Sequence, residues 1–440
     1  MSTTTVFVNG GLLRSVLTTV AAFGTYFCMY AFRKPFTAAP HVGEPLFGIE
    51  PKALLVGAQV LGYTVSKFVG IAVVARMPRE RRAITLLALV LAAELALLGF
   101  AVAPAPWNAL FLFANGLPLG MVFGLVLGFL EGRRHTEAMT AGLCASFIFA
   151  DGAMRAVGAW LLQAGVPVAW MPAVAGSLFL LPLVGCVAAL AKTPPPSRDD
   201  VQSRSERVPM ARAERVAFFR RYAPGLVLLV LGYLAVTVLR SLRGDFAPEL
   251  LRALGATVDP AMFASSEAIV GAGVLLVSAA TVAIRDNRRA FACSIAIAVG
   301  GFVACLAVLG WRTTGRLDGY AFLVALGLGL YIPYVVVHTT VFERLVAMTR
   351  DRGNIGYLMY LADSFGYLGY VAVLFARSAI QGSGSLLDLF LTVAWVVAVV
   401  GACCFGAAGA WFLRSVRVDA PAPSEAEEPQ RRQRLAIARK

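Results

Sequence analysis

Charge is scarce in this sequence. Of its 440 residues, 15% are Asp, Glu, Lys or Arg, where a soluble domain carries about a quarter. Histidine is scarcer still, with three residues. There is no Walker loop, no HExxH pair, no Cys/His spacing of a zinc site and no Ser/His/Asp set. "GGFVACLAVLG" is glycine-rich, but no strand precedes it, so it is not a nucleotide loop. The seven cysteines (28, 144, 186, 293, 305, 403, 404) all fall within apolar runs. They read as small apolar residues, not as a disulfide or metal framework. These absences argue against an enzyme, a metal centre and a bound cofactor. The start, "MSTTTVFVNGG", lacks the ordered features of a cleaved signal peptide.

What the sequence has is hydrophobicity: 59% apolar residues, with a mean hydropathy of +0.74. Twelve apolar runs recur, at roughly 14–39, 53–75, 83–103, 107–130, 138–163, 168–191, 223–243, 262–284, 290–310, 318–342, 354–377 and 386–413. Each is long enough to cross a bilayer as a helix. In lipid the backbone must satisfy its own hydrogen bonds, so helices are expected. The sequence predicts an all-α membrane protein with twelve transmembrane helices.

The net charge of +14 raises nucleic acid as a partner, but its placement points to the lipid bilayer. With the N-terminus on one side, 28 Lys and Arg fall on that side and five on the other. This asymmetry predicts a multi-pass protein of the cell (inner) membrane with both termini cytoplasmic, and no nucleic-acid partner. Residues 415–440, ending "RRQRLAIARK", read as a solvated basic cytoplasmic tail near anionic lipid.

The segment 193–222 is polar and basic with a Pro run, and reads as a cytoplasmic linker. It divides a six-helix bundle at 1–192 from a second at 223–414. The halves repeat each other. Tyr26 and Tyr233, Arg33 and Arg240, and "RRA" at 81–83 and 288–290 all differ by 207. Glu131 and Glu343, and Asp151 and Asp363, differ by 212. Matches on two offsets in chain order predict two parallel six-helix repeats, the plan of major facilitator transporters. In that plan a solute binds between the halves near the midplane.

Ionisable residues inside such runs are costly and point to function. Tyr26 and Arg33 are two helical turns apart on one face, and Tyr233 and Arg240 repeat the spacing. Two guanidiniums facing one axis fit phosphate or carboxylate oxygens. The alternative is that Arg33 snorkels to the interface; its recurrence as Arg240 favours the cavity. Lys34 and Arg243 read as snorkelling. Lys67 either lines the cavity or pairs with a carboxylate. Asp151 and Arg155, four apart, pair with each other or serve the site. Glu267 and Asp363 have no partner within a turn, and balance the arginines or carry a proton. His338 reads first as a packing residue, and Glu94 as structural. Glu131 and Glu343 read as pairing with nearby Arg at the cytoplasmic face. "GLPLGMVFGLVLG" and "GLGLYIP" suit close helix crossings.

Several of these stretches resemble the organophosphate:phosphate antiporters of the major facilitator superfamily, the glycerol-3-phosphate and hexose-phosphate transporters. The carriers are Tyr26, Tyr30, Arg33, Lys34 and Phe36 in helix 1; "GYTVSKF" with Ser66, Lys67 and Phe68 in helix 2; Arg240, Asp245, Phe246 and Pro248 in helix 7; and "FGYLG" at 365–369. The resemblance implies that Arg33 and Arg240 hold a phosphate, helped by Tyr26, Tyr30 and Lys67. Tyr233 joins them as the repeat of Tyr26. The sequence departs from the family at helix 5, where Asp151 stands in place of a histidine, and after helix 2, where Ala75 stands in place of an aspartate. The expected function is secondary transport of a small anion, phosphorylated or carboxylated, by a monomer, with inorganic phosphate or a proton as coupling ion. Proton-coupled transport of another solute is the alternative within transport. A sensor for a sugar phosphate is the alternative of another class.

Overall fold

Each apolar run forms a helix. The computed structural model describes residues 3–130, 133, 136–195, 212–282, 284, 286–349, 355–379 and 385–416. Glu131, most of the segment read as a linker, and nearly all of the basic tail lie outside the described residues. The helices are α1 Thr3–Met29, α2 Pro51–Arg76, α3 Arg79–Val102, α4 Asn108–Leu130, α5 Thr136–Gln163 and α6 Met171–Ala191. The second half has α7 Arg212–Asp245, α8 Pro260–Val282, α9 Asn287–Arg312, α10 Gly319–Val336, α11 Ile355–Ala379 and α12 Leu386–Ser415. Among the described residues, twelve helices are long and apolar enough to cross a membrane. With that even number, the start of α1 and the end of α12 lie on the same side, called here the terminus end.

The internal duplication is visible in the packing. In the first half α2 packs on α4, α3 on α4 and α6, and α1 on α5 and α6. In the second half α8 packs on α10, α9 on α10 and α12, and α7 on α11 and α12. Adding six to each label of the first set gives the second. The halves meet through α2 with α11 and α5 with α8, which also exchange under that operation. Capping repeats too. Arg79 of α3 donates to the carbonyls of Thr193 and Pro194 after α6. Arg288 of α9 donates to those of Leu413 and Val416 at the end of α12. In both halves a guanidinium meets orphan carbonyls at a helix C-terminus.

Small residues set the closest crossings, as the glycine-rich runs predict. A Cβ on Gly116 of α4 would lie 2.1 Å from the Gln59 carbonyl of α2. One on Gly152 of α5 would lie 2.2 Å from the Phe263 carbonyl of α8, across the halves. In α10, a Cβ on Gly329 would lie 2.9 Å from the Gly301 carbonyl of α9.

Two helices depart from the expected bounds in ways that matter. α7 starts at Arg212, inside the segment read as a linker. Phe218 and Tyr222 are buried there, with Tyr222 against Phe412 of α12, so the packed face extends beyond the apolar run. α1 stops at Met29. The chain then makes two 3-10 turns, Tyr30–Phe32 and Pro35–Ala38, all buried. Pro35 has no N–H and disfavours helix in the residue before it. The freed carbonyls are satisfied from neighbours: Asn115 of α4 donates to Phe32 O at 3.0 Å, and Gln59 of α2 to Arg33 O at 3.2 Å. Irregular backbone at this depth is tolerated because protein surrounds it.

Candidate anion-binding site

The break in α1 carries Arg33 and Lys34 into the interior. Lys34 does not snorkel, contrary to the expectation. It is 5% exposed and lies between two carboxylates, 2.8 Å from Asp151 of α5 and 2.6 Å from Asp245 of α7. Asp151 also accepts from Arg155, one turn along the same helix. Asp245 accepts from the Tyr370 hydroxyl at 2.9 Å. Arg243 is not interfacial either. It is buried, 2.6 Å from Glu267 of α8, and its Nε donates to Leu323 O at 2.8 Å. A little beyond, Lys52 bonds Thr37 O and pairs with Glu249 at 2.7 Å. Lys34–Asp245 and Lys52–Glu249 tie one half to the other at the end away from the termini.

Towards the midplane the pairing stops. Arg33 and Arg240 are both buried, yet neither has a carboxylate partner among the described residues. Their neighbours are tyrosines. The Arg33 guanidinium lies 4.1 Å from the Tyr63 ring, 5.5 Å from Tyr367 and 5.8 Å from Tyr30. The Arg240 guanidinium lies 4.4 Å from the Tyr334 ring and 5.7 Å from Tyr331, with Nη2 donating to the Tyr367 hydroxyl at 3.4 Å. Tyr367 thus touches both arginines. Nε of Arg240 is buried without a partner. Tyr26 and Tyr30 stand edge to face, 5.5 Å between ring centres, with Tyr26 on Phe123.

One turn further towards the terminus end, pairing resumes. Lys67 of α2 and Asp363 of α11 are 2.8 Å apart, joining the halves again. Asp363 also accepts from the Tyr233 hydroxyl, and His338 stands 3.4 Å from it. So Lys67 lines the interior and is paired at once. Tyr233 differs from its repeat Tyr26 by bonding a carboxylate. His338 is more than packing: α10 passes after Pro333 into a π-helical turn, Val337–Val341, and the imidazole sits in it. Glu94 lies elsewhere, between α3 and α6, accepting from Ser177 at 2.8 Å, as a structural residue would.

Arg33, Arg240, Tyr26, Tyr30, Lys67, Tyr233, Asp151, Arg155, Glu267, Asp363 and His338 are all buried in the interior. The sequence reading missed Tyr63, Tyr331, Tyr334, Tyr367 and Tyr370, which wall the arginine layer. A signal was present. Tyrosine in membrane helices gathers at the interfaces, yet these five sit well inside apolar runs, and 331/334 and 367/370 share helix faces.

Among the described residues around the two arginines, six cations are buried: Arg33, Lys34, Lys67, Arg155, Arg240 and Arg243. Four carboxylates are buried with them: Asp151, Asp245, Glu267 and Asp363. The excess of two positive charges coincides with the two unpaired guanidiniums.

Two solved structures share the architecture. A D-xylose-proton symporter superposes with a TM-score of 0.59 at 12% identity, covering 92% of this chain and 98% of its own. The human organic anion transporter MFSD10 (TETRAN) gives 0.56 at 15% identity, covering 89% and 99%. At such identity the likeness establishes the fold: twelve transmembrane helices in two parallel repeats, the major facilitator fold. No curated protein matches the sequence. The family of unknown function DUF5690 matches residues 35–415, and the chain belongs to that family.

Proposed function

We propose that this protein is a secondary transporter for a small organic anion, phosphorylated or carboxylated, working by alternating access of its two halves. The observation that carries the reading is the uncompensated pair, Arg33 and Arg240, one from each half, meeting at Tyr367. A buried charge without a partner costs several kcal/mol, on the order of 3–5. The nearest aromatic face of each, Tyr63 at 4.1 Å from Arg33 and Tyr334 at 4.4 Å from Arg240, offsets part of that, about 2 kcal/mol when desolvated. A dianion between the guanidiniums would offset the rest. Each fork offers two parallel donors to phosphate or carboxylate oxygens. The surrounding phenols add hydroxyl donors without adding charge. Tyr26, Tyr30 and Lys67 flank this space and belong to the same proposed site. Asp151, Arg155 and Glu267 balance the neighbouring cations rather than meet the solute.

The domain plan follows: two six-helix bundles rock about the site, the second beginning with α7 at Arg212, inside the 193–222 segment. The charge asymmetry supports a cell (inner) membrane location with both termini and the 415–440 tail cytoplasmic.

Binding of phosphate esters and dicarboxylates to the purified protein, followed by uptake into proteoliposomes, tests the reading. Saturable uptake of an anion, lost on Arg33→Lys or Arg240→Lys, is expected. Binding without uptake would make the protein a receptor for the same ligand. Binding that ignores whether the ligand is charged would end the anion reading.

A further inference from the structure

One imidazole nitrogen beside the arginine layer faces two oxygens with no proton between them. His338 Nδ1 lies 3.0 Å from Tyr334 O. A carbonyl only accepts, so Nδ1 carries a hydrogen. Nε2 faces Tyr233 Oη at 3.3 Å and Asp363 Oδ1 at 3.4 Å. The one hydroxyl proton of Tyr233 is already donated to Asp363 Oδ1. Asp363 Oδ2 accepts from Lys67. A neutral His338 therefore points a lone pair at a carboxylate oxygen and at a hydroxyl whose proton is committed. A proton on Nε2 turns the carboxylate contact into donor and acceptor.

We infer that His338, held by Asp363 and Tyr233, is the binding site of a proton that binds together with the anion. The inference rests on the transporter reading above and adds the coupling ion to it. The step is simple in its chemistry. A proton leaves solvent water, bonds to the Nε2 lone pair and leaves an imidazolium. No other bond forms, and no electron is transferred.

The groups around His338 define what it feels. α7 supplies Tyr233, α11 supplies Asp363, and α2 supplies Lys67 behind Asp363. α10 supplies Tyr334, whose ring centre is 4.9 Å from the imidazole. α4 and α5 present the rings of Phe123 and Phe147, and α5 the buried thiol of Cys144 near Asp363. From α9, Ser294 donates to Thr340 in the same π-helical turn. Arg240 rests on the same Tyr334 ring as His338. Imidazolium and guanidinium therefore repel each other while the site is empty. An anion on Arg240 relieves that repulsion, and by linkage the proton strengthens anion binding equally. For unit charges within about 10 Å in an effective dielectric of about 20, the coupling is of order tenfold or more.

The test uses the full chain in lipid nanodiscs with labelled histidine. The sequence has three histidines, so the signal lost in His338→Gln identifies this one. In protein without ligand, acidification should convert the His338 signal from neutral ring to imidazolium. Asp363→Asn should move that midpoint down. Sulfate is the anion probe, because its charge does not change between pH 8 and 5. Saturating sulfate should move the midpoint up. Sulfate affinity should rise about tenfold from pH 8 to 5.5 in the parent and stay flat in His338→Gln. A His338 that remains neutral to pH 5 overturns the inference, as does a pH response that survives His338→Gln. No anion binding at any pH would sink the transporter reading and the coupling with it; the ligand-free titration then still decides whether the proton site exists.

Discussion

Two adjacent layers of the interior treat the same residue type in opposite ways. In one, Lys34, Arg155 and Arg243 are matched by Asp151, Asp245 and Glu267 at ion-pair distance. In the next, among the described residues, Arg33 and Arg240 meet tyrosine rings and the Tyr367 hydroxyl in place of carboxylates. Arg33 and Lys34 are consecutive, so depth does not explain the difference. A paired layer is complete in itself, and removing one member leaves a bare charge. An unpaired layer is complete only with something added. The contrast separates structure from binding: the first layer should answer to stability measurements, the second to ligand measurements. The Lys67–Asp363 layer closes the sandwich from the other side.

The strongest way to break the comparison is Asp151→Asn. It removes the carboxylate of Arg155 and one of the two held by Lys34. Breaking a buried pair from one side costs about 3–5 kcal/mol. Thermal unfolding in detergent should show a large loss for Asp151→Asn and none for Arg33→Gln. If Arg33→Gln destabilises as much, the arginine has a structural counter-ion and the two layers are alike.

Next in size is the ligand response. Arg33→Lys and Arg240→Lys keep charge and lose the fork. A charge-assisted hydrogen bond contributes about 1.5–3 kcal/mol, so anion affinity should fall by about one to two decades. Melting of the unliganded protein should stay near the parent's. Lys34 is no neutral control for this series, because it is buried and doubly paired; exposed Lys192 serves instead.

The fold was readable in the sequence because hydrophobic length and the 207 and 212 offsets are local or periodic signals. The arginine pair was readable for the same reason: it repeats. The depth of Lys34 and Arg243 was not. Counting residues from Arg14 places Lys34 at a membrane face only if α1 runs straight, and Pro35 ends that assumption. Partners were illegible as well. Lys34 and Asp245 are 211 positions apart, Lys67 and Asp363 are 296. No spacing rule within a helix reaches across two halves. The tyrosine wall escaped because single tyrosines look alike until α2, α10 and α11 are brought together.

A third and smaller effect probes the scaffold beneath both layers. Gly116→Ala drives a methyl against the Gln59 carbonyl, and backbone cannot step aside as a side chain does. Overpacking of this kind costs about 1–3 kcal/mol. Gly185→Ala on α6, with nothing within 4 Å of the added carbon, is the paired control. It should be neutral or gain up to about 1 kcal/mol from helix propensity. Because Gln59 also holds Arg33 O, Gly116→Ala should weaken anion binding as well as melting. If it weakens melting alone, Arg33 is positioned without help from α2.

The smallest expected effect lies outside the spans, at His41 between α1 and α2. Its Nε2 donates to Phe36 O at 2.8 Å, and its ring packs against Phe36 and Phe100. Burial pushes its pKa down to about 4 from an ordinary 6.5; the Phe36 bond works the other way, and the charge of Lys52 adds to the lowering. The sign follows from proton binding. Between about pH 6.5 and 4 the unfolded chain holds a proton at this position and the folded chain does not. Stability from this group is therefore complete above 6.5 and is lost as pH falls towards 4. His41→Asn has no such titration, so its melting temperature should depend less on pH over that range. The comparison belongs in a His338→Gln background, so that the two curves differ at His41 alone. Protonating His41 charges a half-buried ring. Parent and His41→Asn curves that run parallel from pH 7 to 4.5 would mean that His41 is solvated in the membrane-embedded protein, and that the loop holding Arg33 and Lys34 inside is looser than its packing against Phe36 and Phe100 implies.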